Sequence, residues 1–154
     1  MTKTRQNEAK RVFNGKARFN YHILERMEVG ISLLGTEVKS LRAGQASLDE
    51  AFARIDRGEV FLYGCHISPY EQGNLNNHEP MRPRKLLLHR REIRRLVTKV
   101  TQRGLTLVPL SIYFNKRGLA KVELALVKGK THRDKREEIK RREHERDIAR
   151  ALGH

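Results

Sequence analysis

The sequence predicts a mainly β protein: a small antiparallel barrel, closed or partly open, with two or three short flanking helices and a basic C-terminal tail. Three observations predict this fold. Five or six short segments are rich in β-favouring residues or alternate between apolar and polar residues, as half-buried strands do. The two helical segments do not alternate with the strands, as a parallel α/β sheet would require. Beyond residue 129 the chain becomes densely charged and has no continuous apolar stripe.

The length and the charge limit the class of protein. The 154 residues suffice for one domain with a modest core and a tail. They include 33 Lys and Arg against 18 Asp and Glu, a net charge of +15. This excess indicates a polyanionic partner, most simply nucleic acid, with an acidic membrane as the weaker alternative. No apolar run reaches the roughly 18–20 residues of a membrane span, and the N-terminus lacks the apolar stretch of a signal peptide. We therefore expect a cytoplasmic protein that does not enter a membrane.

The positive charge is unevenly distributed. Residues 1–18 and 82–103 are strongly basic, residues 19–81 are slightly acidic, and the tail is moderately basic. We expect three parts: a flexible basic N-terminus over residues 1–13, a barrel over residues 14–129, and a tail over residues 130–154. The tail has few apolar residues, so we predict that it is disordered when free and helical when bound.

The first half of the barrel is predicted from residue 19 onward. A period of two runs from Tyr21 to Ile31 and predicts the first long strand. Thr36 can cap a short helix that Gly44 ends. Residues 47–50 match a helix capping box, but the β-favouring residues that follow, with Gly58 between them, favour a hairpin over residues 51–63. Residues 67–83 are rich in turn-forming residues and predict a long loop.

The second half contains the clearest helix of the chain. Apolar residues at positions 93, 96, 97 and 100 fall on one face, His89 opens the helix and Gly104 ends it. The opposite face carries Arg and Lys almost alone, which favours contact with phosphates over a merely solvated surface. Two more strands, residues 105–114 and 119–127, flank a turn at residues 115–118. Phe61, Tyr63, Tyr113 and Phe114 are candidates for base stacking, although alternation places half or more of them in the core.

The sequence lacks the patterns of the common catalytic and cofactor sites. A single cysteine, Cys65, cannot build a structural zinc site, and neither GxxxxGK[ST] nor GxGxxG occurs. Carboxylates are scarce where the basic charge is dense, which disfavours a metal-dependent nuclease. We therefore predict a binding protein that is not an enzyme and has no cofactor and no metal.

Four segments, in order, match one known family: residues 37–44, 58–64, 84–92, and 128–130 with 134–140. Together they resemble the small protein B family, the SsrA-binding proteins of bacterial trans-translation, from about Asn14 to the end of the chain. The resemblance implies an OB-like barrel with flanking helices. It also implies binding of the tRNA-like domain of transfer-messenger RNA and its delivery, with elongation factor Tu, to stalled ribosomes. The tail would then enter the empty mRNA channel near the decoding site and contact ribosomal RNA.

The resemblance and the charge pattern together predict the site residues. The family motifs match Asn14, Glu28 and Leu87 as RNA-facing residues, and Lys39, Arg42, Arg84 and Lys85 lie in the same motifs. Glu28 would accept a hydrogen bond from a base amino group or a 2′-hydroxyl, or else pair with Arg26 or Lys39. Leu87 would stack under a base or lie in the core. The basic head and the arginine-rich helix add Lys16, Arg18, Arg90 and Arg91.

The tail residues are predicted from the same resemblance. They are Lys128, Gly129, Lys130, Arg133, Asp134, Lys135, Arg136, Ile139 and Lys140. Two positions depart from the family pattern. Arg133 stands where an aromatic residue or His usually precedes Asp134, and Thr131 stands where a second lysine is common. An arginine can still stack on a base. The alternative function is that of a general OB-fold structural or ribosomal RNA-binding protein.

Overall fold

The computed structural model describes residues 11–152 as a strand-rich body with four α-helices, the last of which extends into the tail. The strands are β1 Val12–Phe13, β2 Tyr21–Ile31, β3 Ala46–Ser47, β4 Phe52–Asp56, β5 Glu59–Tyr63, β6 His66–Ile67, β7 Arg84–Leu87, β8 Thr106–Phe114 and β9 Ala120–Gly129. The helices are α1 Ala17–Asn20, α2 Gly35–Arg42, α3 Arg90–Arg103 and α4 His132–Leu152, and a 3₁₀ helix spans Glu71–Asn76.

Seven strands form the main sheet in the order β1-β8-β4-β5-β7-β2-β9, and β8 also pairs with β9. All the pairings are antiparallel, as predicted, and β3 with β6 forms a separate two-stranded sheet. The pairing of β2 with β9 is the longest and runs from Tyr21 opposite Gly129 to Gly30 opposite Lys121. The mainly β class predicted from the sequence is therefore correct.

The β4–β5 hairpin turns at Arg57 and Gly58, which have φ angles of +51° and +78°. Two consecutive positive φ values are the requirement of the tight turn that joins twisted strands. The prediction of a hairpin over residues 51–63, in preference to a helix, is confirmed.

The core lies between the inward-facing side of the main sheet and α3. Its fully buried side chains come from inward-facing positions of β5, β7, β8 and β9, such as Leu62, Leu86 and Leu124, and from Leu96 of α3. Helix α3 begins after His89, whose backbone N–H donates to Glu92, and ends at Gly104 in the left-handed conformation. The predicted boundaries of this helix are confirmed, and Ile93 and Val100 pack against the core with Leu96.

Helix α2 is present but begins differently from the prediction. Its N-cap is Leu34, whose backbone N–H donates to Oε1 of Glu37 at 2.8 Å. Thr36 is not the cap, because its hydroxyl bonds Nδ1 of the buried His78 at 2.8 Å. Nε2 of His78 donates to the carbonyl of Ile67 at 2.8 Å. The predicted loop of residues 67–83 is thus tied to α2 and contains the 3₁₀ helix.

The two ends of the described chain are a short strand and a helix, and the N-terminal end differs in extent from the prediction. The predicted flexible segment of residues 1–13 reaches too far, since Val12 is buried in the core and Val12–Phe13 pair with β8; residues 1–10 lie outside the described residues. The tail is a helix, α4, with no buried residue. Whether it forms only on binding concerns the free chain in solution and stays a prediction.

Candidate nucleic-acid interface

One row of exposed and partly exposed residues crosses four neighbouring strands. Tyr113 of β8 lies opposite Lys121 of β9, which lies opposite Gly30 of β2, which in turn lies opposite Leu87 of β7. Strands are spaced about 4.8 Å apart, so the row spans about 14 Å. Directly opposite residues share a face of the sheet, and Glu28 is two positions from Gly30 on the same face. We name these residues (Glu28, Gly30, Leu87, Tyr113 and Lys121) the outer β surface.

Leu87 projects from this surface instead of entering the core. Its side chain lies over Gly30, where a Cβ atom would come within 3.2 Å of the Cβ of Leu87. Leu87 is 52% exposed, although its neighbour Leu86 is fully buried. Of the two alternatives for Leu87, the structure therefore excludes the core and leaves an apolar side chain available to a partner.

Glu28 is held by a tyrosine instead of a cation. The hydroxyl of Tyr113 donates to Oε2 of Glu28, and neither Arg26 nor Lys39 pairs with it. Arg26 pairs with Glu123 at 3.5 Å, as does Arg11 at 3.2 Å. Desolvation, the hydrogen bond to Glu28 and its negative charge raise the pKa of Tyr113 to about 12. The carboxylate of Glu28 is thus oriented while its second oxygen has no hydrogen-bond partner among residues 11–152.

Cations of α2 and of the β8–β9 loop lie beyond the end of β8, the strand that carries Tyr113. Arg42 of α2 lies over the ring of Phe114, with 4.5 Å from its guanidinium carbon to the ring centre, and is close to Gly118 in the β8–β9 loop. Nζ of Lys39 is 5.2 Å from the ring centre of Tyr70. The same loop exposes Lys116 and Arg117, and Oδ1 of Asn115 orders it by accepting two backbone N–H bonds. Within residues 11–152 none of these cations has a carboxylate partner.

Arg84 was predicted to contact phosphates, and the structure contradicts this. Its guanidinium is fully buried; it donates to Glu37 at 2.5 Å and to the carbonyls of Cys65 at 2.6 Å and Pro80 at 3.1 Å. Glu37 is also fully buried and accepts from Arg82 at 2.6 Å. Burial opposes ionisation of Glu37, but the hydrogen bonds from Arg82, the Leu34 backbone and Arg84 outweigh it and lower its pKa. Arg84 is a structural residue of the core.

The other predicted body residues are dispersed. The side-chain amide of Asn14 donates to the carbonyl of Pro109 at 2.9 Å, which fixes the chain after β1. Lys16 is 3.8 Å from Glu50, and Lys85 is 3.0 Å from Glu59, both on the surface. Arg18 is exposed, and its backbone carbonyl accepts a hydrogen bond from Lys130 of the tail. Asn14, Lys16 and Arg18 are not brought together with Glu28 and Leu87. Lys85 is, because it lies two residues from Leu87 on the same exposed face of β7.

The basic face of α3 is divided between two edges. Arg95 and Lys99 both bind the carboxylate of Glu25 on β2. These two hydrogen bonds lower the pKa of Glu25. Arg90 and Arg91 are exposed and unpaired among the described residues, and Arg90 lies with Arg94 beside the tip of the β4–β5 hairpin. Only part of the predicted arginine face is therefore free to meet phosphates.

The tail begins with a well-formed helix cap. The Thr131 hydroxyl accepts from the Asp134 backbone N–H at 3.2 Å, and Asp134 accepts from the Thr131 N–H at 3.1 Å, a reciprocal capping box. Nε2 of His22 lies 3.1 Å from the Asp134 carboxylate. The bond to His22 and the two bonds with Thr131 lower the pKa of Asp134. Thr131, a departure from the family pattern, thus starts α4.

The first two turns of α4 also contact the body. Nζ of Lys130 binds Glu138 and the carbonyl of Arg18, and the bond from Lys130 is the first cause that lowers the pKa of Glu138. Nζ of Lys135 is 5.6 Å from the ring centre of Phe19. Three of the predicted tail residues, Lys130, Asp134 and Lys135, therefore contact the body.

The remaining predicted tail residues face solvent. Lys128, Gly129, Arg136 and Lys140 are exposed, Ile139 is 44% exposed, and Arg133 forms only an exposed pair with Glu137 at 3.5 Å. Along α4, Ile148 and Leu152 are exposed as well. Apart from Lys135 and Arg142, which lie by the ring of Phe19, α4 presents cations and scattered apolar side chains to solvent.

Sequence reasoning missed several residues of the interface. Lys121, Lys116 and Arg117 join it only through strand register and the position of the β8–β9 loop, which the charge pattern did not single out. The sequence places Phe13 in the flexible N-terminus, whereas the structure has it 66% exposed in β1. Tyr113 is a predicted stacking residue, but its contact with Glu28 depends on a pairing across three strands.

Residues 11–152 contain no group of three or more His, Cys, Asp or Glu side chains suited to a metal ion. In the same range, no helix combines the length and the apolarity needed to cross a membrane.

A family model, sequence relatives and a solved structure all match this chain, and all three belong to one protein family. A family model described as SmpB protein matches residues 11–154. The SsrA-binding protein of Moorella thermoacetica is 62% identical over 139 residues, which cover 90% of each chain. That of Syntrophobacter fumaroxidans is 55% identical over 154 residues, covering 97% of this chain and 95% of the relative. A chain in a solved structure described as "tmRNA-SmpB: a journey to the center of the bacterial ribosome" is 53% identical with a TM-score of 0.68, covering 85% of this chain and 95% of that one.

Proposed function

The chain belongs to the SmpB family, and from this premise we propose that it is an RNA-binding ribosome-rescue factor of trans-translation. It binds transfer-messenger RNA and acts with it on the ribosome, as the names of its relatives and of its structural neighbour indicate. The observation that carries the proposal is the family match along residues 11–154.

The outer β surface supports a specific mode of RNA binding. We propose that it receives the tRNA-like domain. Leu87, 52% exposed over Gly30, packs against an unstacked base, and the free oxygen of Glu28 accepts a hydrogen bond from a base amino group or a 2′-hydroxyl. Tyr113 holds that carboxylate in place. The nearby cations meet phosphates, which position the RNA without reading its sequence; they are Lys39, Arg42, Lys116, Arg117 and Lys121.

The tail has a separate role in this proposal. Its exposed cations, from Lys128 and Gly129 through Arg133 and Arg136 to Lys140, contact ribosomal RNA along the empty mRNA channel near the decoding site. Ile139 adds an apolar contact. The tail suits this role because α4 buries none of its residues in the body. Elongation factor Tu takes part in delivery of the complex, which places the action in the cytoplasm.

The strand pairings support an OB-like barrel as the body. β8 pairs with β4 and β9, and β9 with β2 and β8, so the hydrogen-bonded pairings return to the strand from which they began. A small barrel of this type with a basic outer surface is a frequent RNA-binding scaffold. We propose that the protein acts through binding alone, without a catalytic step.

A competition experiment tests the proposed function. Binding of the tRNA-like domain is measured against an unrelated structured RNA of equal length, for the native chain and for L87A/K121A. We expect preference for the tRNA-like domain and a loss of that preference in the variant. The matched control is I148A/K99A, which removes an exposed aliphatic side chain from the tail helix and the lysine of α3 that pairs with Glu25. Equal binding of both RNAs by the native chain would favour the alternative, a general OB-fold structural or ribosomal RNA-binding protein.

A further inference from the structure

A second basic surface lies between α3 and the β4–β5 hairpin. We name it the α3 groove. Its first half, about 480 Å³, is lined by Phe52 and Ile55 of β4, by Val97 and Val100 of α3, and by the segment that enters β8. Its second half, about 640 Å³, lies at the hairpin tip and is lined by Arg57, Glu59, Arg90 and Arg94. Val97 lines both halves, so they lie next to each other along α3, and we treat them as one groove.

The floor of the groove is apolar and open to solvent. Val97 is 39% exposed and Phe52 is 37% exposed, although both side chains are large and apolar. Phe52 stacks on Tyr63 across the hairpin, with ring centres 5.7 Å apart and planes 20° from parallel. This stacking orders the ring of Phe52, a residue that lines one end of the groove. The groove follows α3 from Arg90 to Thr101, a length of about 16 Å at the α-helical rise.

The rim of the groove carries guanidinium groups without partners. Arg54, Arg57, Arg90 and Arg94 line it, and none has a carboxylate within ion-pair distance in residues 11–152. The single carboxylate of the lining, Glu59, is bound by Lys85 at 3.0 Å. The opposite edge of the same helix differs, because Arg95 and Lys99 both pair there with Glu25, whose carboxylate balances one of the two charges. Of the unpaired arginines of α3, Arg90 and Arg94 thus line the groove, whereas Arg91 lies outside it.

We propose that the α3 groove binds a short single-stranded segment of RNA. The phosphates lie along the arginine rim, and the bases pack on Val97, Ile55 and the ring of Phe52. This combination of a positive track with an aromatic platform is how single strands are held without sequence preference. A duplex would present phosphates to the rim but no base face to the apolar floor. An acidic peptide would satisfy the rim, but it carries less flat surface for the Phe52 platform.

The site shares no residue with the outer β surface, so the two bind different parts of an RNA. The groove adds a second RNA contact to the proposed function. It does not require that the outer β surface binds the tRNA-like domain. Arg90, predicted from the sequence as RNA-facing, belongs to this second site.

The test uses the full chain and a fluorescent oligouridylate, which has little structure of its own. R57A/R94A should lower its affinity about tenfold or more and reduce the slope of log affinity against log salt by about 1.4, the loss expected for two phosphate contacts on a single strand. V97D, which places a carboxylate on the exposed floor, should lower the affinity as well. The control R95A/K99A removes the same charge from the other edge of α3 and should change the affinity by less than about twofold. Thermal unfolding checks that each variant is folded.

The oligouridylate measurements test the groove separately from the outer β surface. Unchanged oligouridylate binding by R57A/R94A, or an equal loss in R95A/K99A, would overturn the proposal. The proposal would also be overturned if an acidic peptide of equal charge bound more tightly than oligouridylate and lost that affinity in R57A/R94A. The same variants are measured with the tRNA-like domain in parallel. If R57A/R94A loses affinity for oligouridylate and the control does not, the groove proposal is supported. A native chain without preference for the tRNA-like domain would refute the proposed function and leave the groove proposal standing.

Discussion

Nε of Arg84 lies 2.5 Å from Oε2 of Glu37 in an ion pair in which both side chains are fully buried. The pair joins β7 to α2, and Arg84 also bonds the carbonyls of Cys65 and Pro80, so one guanidinium ties together four parts of the chain. Removal of one member of a buried pair is costly because the other charge stays behind.

The first prediction concerns this pair. R84M should lower the free energy of unfolding by about 3–5 kcal/mol, the typical loss when one partner of a buried ion pair is removed. K85M, at the exposed neighbouring position, should change it by no more than about 0.5 kcal/mol. Denaturant unfolding measures both. A stable R84M protein with weakened RNA binding would restore the phosphate role predicted from the sequence.

The second prediction concerns Tyr113. Its pKa of about 12 exceeds that of the unfolded chain, so its contribution to stability is present below about pH 10 and is lost as the pH rises through 12. The chain has four Tyr and no Trp, so phenolate absorbance can follow the titration. Y113F should remove the most alkaline transition. If the three remaining tyrosines still include one that titrates near pH 12, the contact with Glu28 does not form in solution.

The third prediction concerns the start of the tail helix. T131A removes the hydroxyl that accepts from the Asp134 N–H, so helix content measured by circular dichroism should fall, whereas T98A on α3 should change it less. The pKa of Asp134 is lowered by His22 and Thr131, so its contribution is present above the unfolded pKa and is lost on acidification. An unchanged helix signal in T131A would show that α4 is not capped there.

The fourth prediction concerns salt. If about 6–10 phosphates are contacted, affinity for the tRNA-like domain should fall by about 10³–10⁵ between about 50 and 200 mM salt. K121A should reduce the slope of log affinity against log salt by about 1, the loss expected for one phosphate contact. Titrations at several salt concentrations measure this. Affinity that does not respond to salt would argue against phosphate contacts as the basis of binding.

Local patterns predicted the local elements correctly. The β4–β5 hairpin followed from Gly58 between β-favouring residues, and α3 from its apolar spacing between His89 and Gly104. The interface was harder to predict because it depends on contacts distant in sequence. The burial of Arg84 could not be predicted from local sequence because Glu37, the carboxylate that pairs with it, lies 47 residues away. Lys121 reaches Leu87 only through the register of β9, β2 and β7, which no local pattern encodes.

The central claim is that RNA binding by the body and ribosome probing by the tail are separable. Its most direct measurement compares the full chain with a chain truncated after Gly129, in both affinity for the tRNA-like domain and rescue of ribosomes stalled on truncated messages. Because α4 buries no residue, we expect the truncated chain to keep nearly all of its RNA affinity and to lose rescue. Loss of RNA binding on truncation, or rescue that persists without the tail, would contradict the account.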